Sequence, residues 1–432
     1  MSDLIIHGGS PLSGAIIPSA NKNAVLPILC ATLLTGEPVT LNGVPPITDV
    51  VKIVDFFRLI GSKVDYDSER RILEIDHRDA AFDPQVHQLP VQMRSSIMLV
   101  PPLLARFGAA RIENDVKGCT LGMREIDPHV EVIGLFGGAV AHTLDAIAVR
   151  ADGRARGVRH WLDYASVTTT ENFIMCAVLA DGHSELTNAA SEPHVQELCD
   201  FLLLLGARIG DVGSSRLSID GVGALAGGEY TFAEDYHEIV TFLALSAITG
   251  GDVRVSNSVP RQFPLIDRTF AKFGVALEHR DGWSRASVDA LRVRAPFTPN
   301  ILQKVEAAPW PYVPVDLLPI FIALGVRASG STLFWNKIYD GALGWVTELS
   351  KFGGHAFVCD PHRVVIFGGK PLTPAEVDSP YIIRVTIALL MLAASIPGRS
   401  VIRNALPIRR AHPEFVENLQ RLGARISWSD ES

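Results

Sequence analysis

Residues 184–219 read SELTNAASEPHVQELCDFLLLLGARIGDVGSSRLSI, and this stretch shows the pattern of helices and strands most clearly. A short strand-like run ends near Asn188, and residues 195–205 carry apolar side chains three and four positions apart, as an amphipathic helix does. Gly206 follows that helix and precedes two more strand-like runs, while residues 171–179 upstream have a helical pattern of their own. The stretch therefore predicts a unit that mixes helices with a partly antiparallel sheet.

The same pattern recurs six times along the 432 residues. In every copy a strand ends near an Asn, and the helix after it ends at an Ile, Leu or Phe followed by Gly. The asparagines are Asn42, Asn114, Asn188, Asn257, Asn336 and Asn404, and the glycines are Gly61, Gly137, Gly206, Gly274, Gly353 and Gly423. Six copies predict two groups of three, and the acidic, aromatic residues 230–236 between copies three and four predict the boundary.

Composition limits the class of protein. A chain of 432 residues exceeds one ordinary core, so two domains are expected. The net charge of −8 argues against a nucleic-acid partner, which needs a basic surface. The N-terminus lacks the features of a signal peptide, residues 385–396 are too few to span a bilayer, and five scattered cysteines suit reduced thiols. We therefore expect a cytoplasmic protein without a membrane segment.

The second copy carries an insertion that is the first candidate for chemistry. Its Asn and Gly are 23 residues apart, against 17 to 19 in the other copies, and the extra length falls in residues 115–127. Cys119 lies there between Lys117 and Arg124, and nearby cations stabilise a thiolate and lower its pKa. A reactive thiol is one interpretation, and a surface cysteine with basic neighbours is the other.

Polar side chains at helix starts are the second candidate. Lys22 and Asn23 precede a helix expected from about Val25, and Arg94 and Arg384 stand at the starts of two later helices. Unpaired backbone N–H groups and a cation at a helix N-terminus favour phosphate or carboxylate binding. Taken singly, however, Lys22 and Asn23 are equally typical of an Asn cap with a solvated lysine, and each arginine is more typical of a solvated surface group than of an anion site.

Asp316 follows a proline-rich extended segment, residues 308–316, and precedes an apolar helix expected over residues 317–324. It is either an ordinary helix cap or a rigidly held general base. Residues 221–226 resemble a dinucleotide fingerprint, but no helix pattern follows, so a turn is expected. No group of residues has the spacing of metal ligands.

These segments together resemble the enolpyruvyl transferases over the whole chain. The stretches that carry the resemblance are residues 22–28, 93–97, 118–122 with Arg124, 127–129 and 314–316. The branch of the family that makes 5-enolpyruvylshikimate-3-phosphate lacks the cysteine loop, which favours the branch that uses a UDP-sugar. The resemblance implies a two-domain, inside-out α/β barrel built from six βαβαββ-type repeats. Residues 22–233 would form the domain with the cysteine loop, and residues 1–21 and 234–432 the second domain.

The implied reaction transfers the enolpyruvyl group of phosphoenolpyruvate to the 3-hydroxyl of UDP-N-acetylglucosamine and releases phosphate, with no metal and no organic cofactor. By resemblance, Cys119 protonates the methylene carbon of phosphoenolpyruvate, and Asp316 accepts the proton of the acceptor hydroxyl. Cations would hold the phosphate and carboxylate groups: Lys22, Arg124 and Arg410, assisted by Lys337 and Arg384. The acceptor would contact Asn23, Arg94, Arg124, Glu125, Ile126, Asp127, Pro128, Ser166, Val167 and Leu333.

The chain departs from the family pattern at several cationic positions. Lys337 and Tyr236 stand where the family usually has arginine, and Tyr164 stands where a lysine meets the diphosphate. Losing charge-assisted hydrogen bonds weakens that half of a site. Two alternatives therefore stay open, namely an enolpyruvyl transferase acting on another nucleotide such as UMP, and a catalytically silent protein that binds a nucleotide sugar.

Overall fold

The computed structural model of the chain describes residues 3–91, 93–113, 126–142 and 146–429, with the backbone alone at Arg94, His142 and Arg410. The described residues fall into two compact units. We call residues 20–91, 93–113 and 126–233 the middle unit, and residues 3–19 with 234–429 the terminal unit.

The middle unit contains helices packed on small sheets. Its helices are α1 (Lys22–Thr32), α2 (Thr48–Leu59), α3 (Val100–Phe107), α4 (Asp127–Leu135), α5 (Val167–Ala177) and α6 (Pro193–Leu204), with a 3₁₀ segment over Arg94–Leu99. Its strands are β3 (Val39–Asn42), β4 (Lys63–Asp67), β5 (Ile72–Asp76), β6 (Ala109–Glu113), β7 (Ala139–His142), β8 (Ala146–Arg150), β9 (Arg159–Trp161), β10 (His183–Thr187), β11 (Arg208–Gly210), β12 (Arg216–Asp220) and β13 (Gly228–Thr231). Within the described residues they form sheets of order β13-β3-β5-β4, β6-β8-β7 and β11-β12-β10-β9.

The terminal unit has a similar composition of elements. Its helices are α7 (Tyr236–Thr249), α8 (Pro264–Ala271), α9 (Leu318–Arg327), α10 (Ile383–Ser395), α11 (Leu406–Ala411) and α12 (Phe415–Arg421), with 3₁₀ segments over Pro260–Gln262, Val315–Leu317 and Gly344–Phe352. Its strands are β1 (Leu4–Gly8), β2 (Ser13–Ile16), β14 (Asp252–Ser256), β15 (Val275–Arg280), β16 (Trp283–Val288), β17 (Gln303–Ala307), β18 (Gly330–Asn336), β19 (His355–Asp360), β20 (Arg363–Gly368), β21 (Glu376–Asp378), β22 (Gly398–Arg403) and β23 (Arg425–Trp428). The sheets have the order β21-β22-β1-β23, β15-β16-β14-β2 and β17-β18-β20-β19 in the described part of this unit.

The sheets are mixed. β10 pairs with β9 in parallel and with β12 antiparallel, and β18 pairs with β17 in parallel and with β20 antiparallel. The prediction of a mixed α/β structure is confirmed, and the elements expected around residues 184–219 are present as α5, β10, α6, β11 and β12.

Several helices are buried on all sides. In α7 every residue from Tyr236 to Ile248 is buried, and in α10 every residue from Val385 to Ser395 is buried. A helix that is buried all round belongs in the interior of a large unit. The expectation that residues 385–396 form a buried helix is therefore confirmed, and no helix among the described residues is long and apolar enough to cross a membrane.

The glycines picked out by the sequence pattern share one backbone conformation. Gly61, Gly137, Gly206, Gly274, Gly353 and Gly423 have φ values between +79° and +95°. Side chains rarely adopt this region, because Cβ clashes with the backbone there, so glycine is the residue that ends these helices and turns the chain into the next strand.

Two helix starts and one cap differ from the sequence prediction. α1 begins at Lys22 rather than near Val25, because Asn21 supplies the cap one turn earlier. α5 begins at Val167 rather than near residue 171, since the Thr170 hydroxyl bonds the Ser166 carbonyl inside the first turn. Asp316 lies within a 3₁₀ turn before α9 and makes no cap hydrogen bond, so its interpretation as a helix cap was wrong.

Candidate active site

The start of α1 is built by its cap and by one ion pair. The Asn21 side chain accepts a hydrogen bond from the Asn23 backbone N–H at 3.0 Å, which fixes the first turn. Lys22 Nζ lies 2.8 Å from the Asp49 carboxylate in the first turn of α2, with about a quarter of the Lys22 side chain exposed. Asp49 thus holds an ammonium group beside a helix N-terminus, where the helix dipole also favours an anion.

Two other helix starts of the middle unit are joined by His129. The ring of this buried residue in α4 lies 3.2 Å from the Thr168 hydroxyl and 3.0 Å from the Asn172 amide, both in α5. The hydrogen bonds link the first turn of α4 to the first turn of α5. These hydrogen bonds bring together three residues that the sequence predicted to contact the acceptor substrate, namely Asp127 and Pro128 on α4 and Ser166 at the start of α5.

The 3₁₀ segment Arg94–Leu99 lies against the same helices. It packs on α1 and on α5, and the Asn172 amide also donates to the Ile97 carbonyl at 3.4 Å. The Ser95 hydroxyl is buried and has no hydrogen-bond partner among the described residues. The middle unit therefore gathers the segments that contain Lys22, Asn23, Arg94, Ser166 and Val167.

In the terminal unit, Arg384 is held at the start of α10 by a buried carboxylate. Its Nη2 lies 3.5 Å from Asp235, which also accepts hydrogen bonds from the His237 backbone and ring at 2.8 and 2.9 Å. Burial raises the pKa of Asp235, but the charges and hydrogen bonds of His237 and Arg384 outweigh it and hold that pKa well below its usual range. Arg384 Nη1 is buried without a partner in the described part of the chain, so it offers a donor to an anionic oxygen.

Glu238 lies one turn after Asp235 and is hydrogen-bonded to two other segments. It accepts a hydrogen bond from the Ser19 backbone N–H at 2.9 Å and bonds His412 at the end of α11. Asp235, Glu238 and His412 have ligand atoms within 4.8 Å of one another, which makes them a candidate group for a cation. The neighbouring Arg384 guanidinium opposes a cation there, and we interpret the group as an internal ion network.

The remaining predicted residues of the terminal unit lie on two elements. Asp316 is half-buried in the 3₁₀ turn Val315–Leu317, directly before α9. Leu333 is half-buried on β18, and Lys337 follows the end of that strand, with its ammonium 3.2 Å from the Glu306 carboxylate. Arg410 lies on the short helix α11, where its backbone is described.

Cys119, Arg124 and Glu125, which the sequence predicted as site residues, lie outside the described residues. Ile126 is half-buried immediately before α4. The turn predicted over residues 221–226 is confirmed, because β13 and no helix follows it.

Sequence reasoning missed Asp49, His129, Asp235, Glu238 and His412. The sequence does contain a signal for two of them, because Asp235 and Glu238 have the spacing of a capping box at the start of an apolar run. For Asp49 and His412 no local pattern exists, since their partners lie far away in the sequence.

The sequence is similar over nearly its full length to proteins of one known family. The sequence profile of the family described as EPSP synthase (3-phosphoshikimate 1-carboxyvinyltransferase) matches residues 6–419. A protein of Treponema pallidum named UDP-N-acetylglucosamine 1-carboxyvinyltransferase is 36% identical over 437 residues, covering 100% of both chains. The chain belongs to the enolpyruvyl transferase family. A second protein of the same name, from Bradyrhizobium diazoefficiens, is 37% identical and covers 98% of this enolpyruvyl transferase and 97% of its own length.

Solved structures support the same fold for this enolpyruvyl transferase. The enolpyruvyl transferase NikO from Streptomyces tendae superimposes with a TM-score of 0.86 at 23% identity, covering 99% of this chain and 98% of its own. EPSP synthase from Acinetobacter baumannii gives 0.79 at 16% identity, over 99% and 100%. At these identities the likeness concerns the fold.

Proposed function

We propose that this enolpyruvyl transferase moves the enolpyruvyl group of phosphoenolpyruvate to the 3-hydroxyl of UDP-N-acetylglucosamine and releases phosphate. The observation that carries the proposal is the full-length similarity, at 36 and 37% identity, to proteins named for that acceptor. The cysteine insertion at residues 115–127 points to the same branch of the family. The reaction would be the first committed step of peptidoglycan synthesis, in the cytoplasm.

We propose that the two units are the two domains of the inside-out barrel, each made of three βαβαββ-type repeats. The cysteine loop would belong to residues 22–233, and residues 1–21 with 234–432 would form the other domain. The three sheets within the described part of each unit and the helices buried on all sides support this assignment.

The anion-binding role would fall to five cations that the family resemblance picks out. Lys22 beside the start of α1 and Arg384 at the start of α10 would meet the phosphate and carboxylate of phosphoenolpyruvate, with Arg124, Arg410 and Lys337. Asp49 and Asp235 orient Lys22 and Arg384, and Arg384 keeps a buried donor for a ligand oxygen. Positioned cations stabilise charge that shifts in the tetrahedral intermediate, which raises the rate of addition and of phosphate loss.

Proton transfer requires an acid for the methylene carbon and a base for the hydroxyl. Cys119, with Lys117 and Arg124 close in sequence, would be the acid, because neighbouring cations lower a thiol pKa toward neutrality. Asp316 would be the base. The 3₁₀ turn between Pro314 and α9 fixes its backbone, and the side chain makes no cap hydrogen bond that would compete with a substrate.

The nucleotide sugar would be held mainly by the middle unit. Asn23, Ser166 and Val167 lie at helix starts there, and His129 ties the turn that carries Asp127 and Pro128 to the turn that carries Ser166. Arg94, Arg124, Glu125, Ile126 and Leu333 complete the proposed contacts.

The experiment is phosphate release from phosphoenolpyruvate with UDP-N-acetylglucosamine, with UMP or without acceptor, using Cys119→Ala as the control. The proposal expects release with UDP-N-acetylglucosamine alone and none from the control. Release with UMP alone would favour the second candidate, which Tyr164 in place of a diphosphate-binding lysine also favours. No release with either acceptor, together with tight nucleotide-sugar binding, would favour a silent binding protein.

A further inference from the structure

On one face of the sheet β17-β18-β20-β19, an ammonium group lies close to two aromatic rings. Lys337 Nζ lies 4.5 Å from the centroid of the Trp335 ring and 5.6 Å from that of Tyr312. The Glu306 carboxylate accepts a hydrogen bond from the same ammonium at 3.2 Å. Two rings and one carboxylate thus surround one lysine, and we call Glu306, Tyr312 and Trp335 the lysine cradle.

Strand register puts the parts of the cradle on one face. Glu306 on β17 is the direct partner of Trp335 on β18 in the parallel ladder, so their side chains project to the same side. Lys337 follows Trp335 by two residues, which keeps it on that face, and its backbone N–H donates to the Ala307 carbonyl at 3.0 Å.

The chain on either side of the cradle is also tied down. The buried Asn336 side chain accepts hydrogen bonds from the backbone N–H groups of Ile338 and Tyr339, both at 3.0 Å, and so fixes the turn after Lys337. The loop with Tyr312 is held by a bridge between Ala307 and Val313. Glu306 and Trp335 therefore lie on paired strands, and the loop that carries Tyr312 is bridged to the end of β17.

Glu306 is shared by two lysines, and the Lys337 ammonium remains partly exposed. Partial burial raises the pKa of Glu306, but hydrogen bonds from Lys337 and Lys304 outweigh it and lower that pKa, so the carboxylate is ionised at neutral pH. The Lys337 side chain is 31% exposed. An ammonium carries three donors, and a single carboxylate contact and two ring faces leave it able to meet a further anion.

A lysine that binds a carboxylate in one fixed position needs neighbours that restrict its ammonium group. Lysine has a compact charge on a flexible stem, whereas arginine presents a planar fork that is organised in advance. Ring faces attract an ammonium through the quadrupole of the aromatic system and restrict its position. A cradle of this kind supplies the ordering that the lysine stem lacks.

We propose that Trp335, Tyr312 and Glu306 are positioning residues that fix the Lys337 ammonium where it meets the carboxylate of phosphoenolpyruvate. The inference rests on the proposed function, in which Lys337 binds that substrate. Trp335 and Tyr312 act through Lys337 and do not themselves bind the substrate. Their role is to order the ammonium group of Lys337, which stands where the family usually has arginine.

The test is a double-mutant cycle on KM for phosphoenolpyruvate at saturating acceptor, with Trp335→Leu, Lys337→Met and the double variant. Trp335→Leu should raise KM by about 3- to 10-fold, the effect of losing a cation–π contact and the order it gives, while KM for the acceptor changes less than about 2-fold. In the Lys337→Met background, adding Trp335→Leu should change KM for phosphoenolpyruvate by less than about 2-fold, because the contact between the ammonium and the ring is already lost.

Control variants separate positioning from folding. Trp335→Phe retains a ring and should stay within about 2-fold of the wild type in KM. Phe297→Leu removes a fully exposed ring elsewhere, and Lys351→Met removes an exposed ion-paired lysine; neither should change KM. Thermal unfolding of each variant checks that the fold is intact.

Two results would overturn the inference in different ways. If Trp335→Leu acts equally strongly with Lys or Met at position 337, or if Trp335→Phe behaves like the leucine variant, the cradle does not position Lys337. If Lys337→Met alone leaves KM for phosphoenolpyruvate unchanged, then the assignment of Lys337 in the proposed function is wrong as well.

Discussion

Replacing Asp235 with Asn tests whether the buried network at the start of α7 stabilises the terminal unit. The carboxylate is 1% exposed and lies 3.5 Å from Arg384 Nη2. At an effective dielectric constant of about 20, two unit charges at this distance attract by roughly 5 kcal/mol, and desolvation offsets part of that attraction. Removing one charge leaves the largely buried guanidinium without its charged partner, so Asp235→Asn should lower the free energy of unfolding by about 2 to 4 kcal/mol.

The assay is urea unfolding followed by circular dichroism at pH 7, with Arg384→Met and the double variant completing a cycle. Because the two units can unfold separately, the transition that responds to Asp235→Asn is the one compared. The double variant should be less destabilised than the sum of the two single variants by at least about 1 kcal/mol. Additive losses, or an Asn variant as stable as the wild type, would refute an energetic link between Asp235 and Arg384.

The same variant has a predicted dependence on pH. The folded-state pKa of Asp235 is lowered from the ordinary value of 3.8, so its stabilising contribution is fully present above that value. The contribution is lost as the pH falls below 3.8 toward the folded-state pKa. The difference between wild type and Asp235→Asn should accordingly be present at pH 5 and shrink below about pH 4.

Three further outcomes are expected. Asn21→Ala removes the cap of α1 and should lower the free energy of unfolding by about 1 kcal/mol in urea titrations; an unchanged value would contradict the role of the cap. His129→Leu should raise KM for the acceptor by about 10-fold with little change in KM for phosphoenolpyruvate, since one buried hydrogen-bonding group is worth roughly 1 to 3 kcal/mol, whereas equal changes in both would argue against local positioning. Burial raises the pKa of the Cys30 and Cys199 thiols, so iodoacetamide at pH 8 should label the exposed Cys359 in the native protein and label those two only after unfolding, as mass spectrometry of peptides would reveal.

Local sequence patterns predicted much of the fold. The glycines after each helix were predictable because only glycine tolerates the left-handed backbone of that turn, and the structure has all six there. Helix starts were less accurate, since Asn21 and the threonines of α5 form hydrogen bonds whose partners a periodicity argument does not see.

The candidate site was predicted in part. Lys22, Arg384 and Lys337 were found from helix starts and from resemblance, but each is paired with a carboxylate that the sequence did not reveal. Asp49 and Glu306 reach their partners through helix packing and strand register, respectively. Such partners depend on the tertiary fold, and so local sequence patterns carry no signal for them.

The transferase assignment is tested most directly by competition between acceptors. The enzyme would receive phosphoenolpyruvate with equal, limiting concentrations of UDP-N-acetylglucosamine and UMP, and mass spectrometry would measure both enolpyruvyl products at early times. The product ratio equals the ratio of the two kcat/KM values. The account predicts the enolpyruvyl ether of UDP-N-acetylglucosamine in at least about 100-fold excess, a difference of roughly 3 kcal/mol in transition-state binding. Predominance of the UMP product, or enolpyruvyl transfer to neither acceptor, would contradict it.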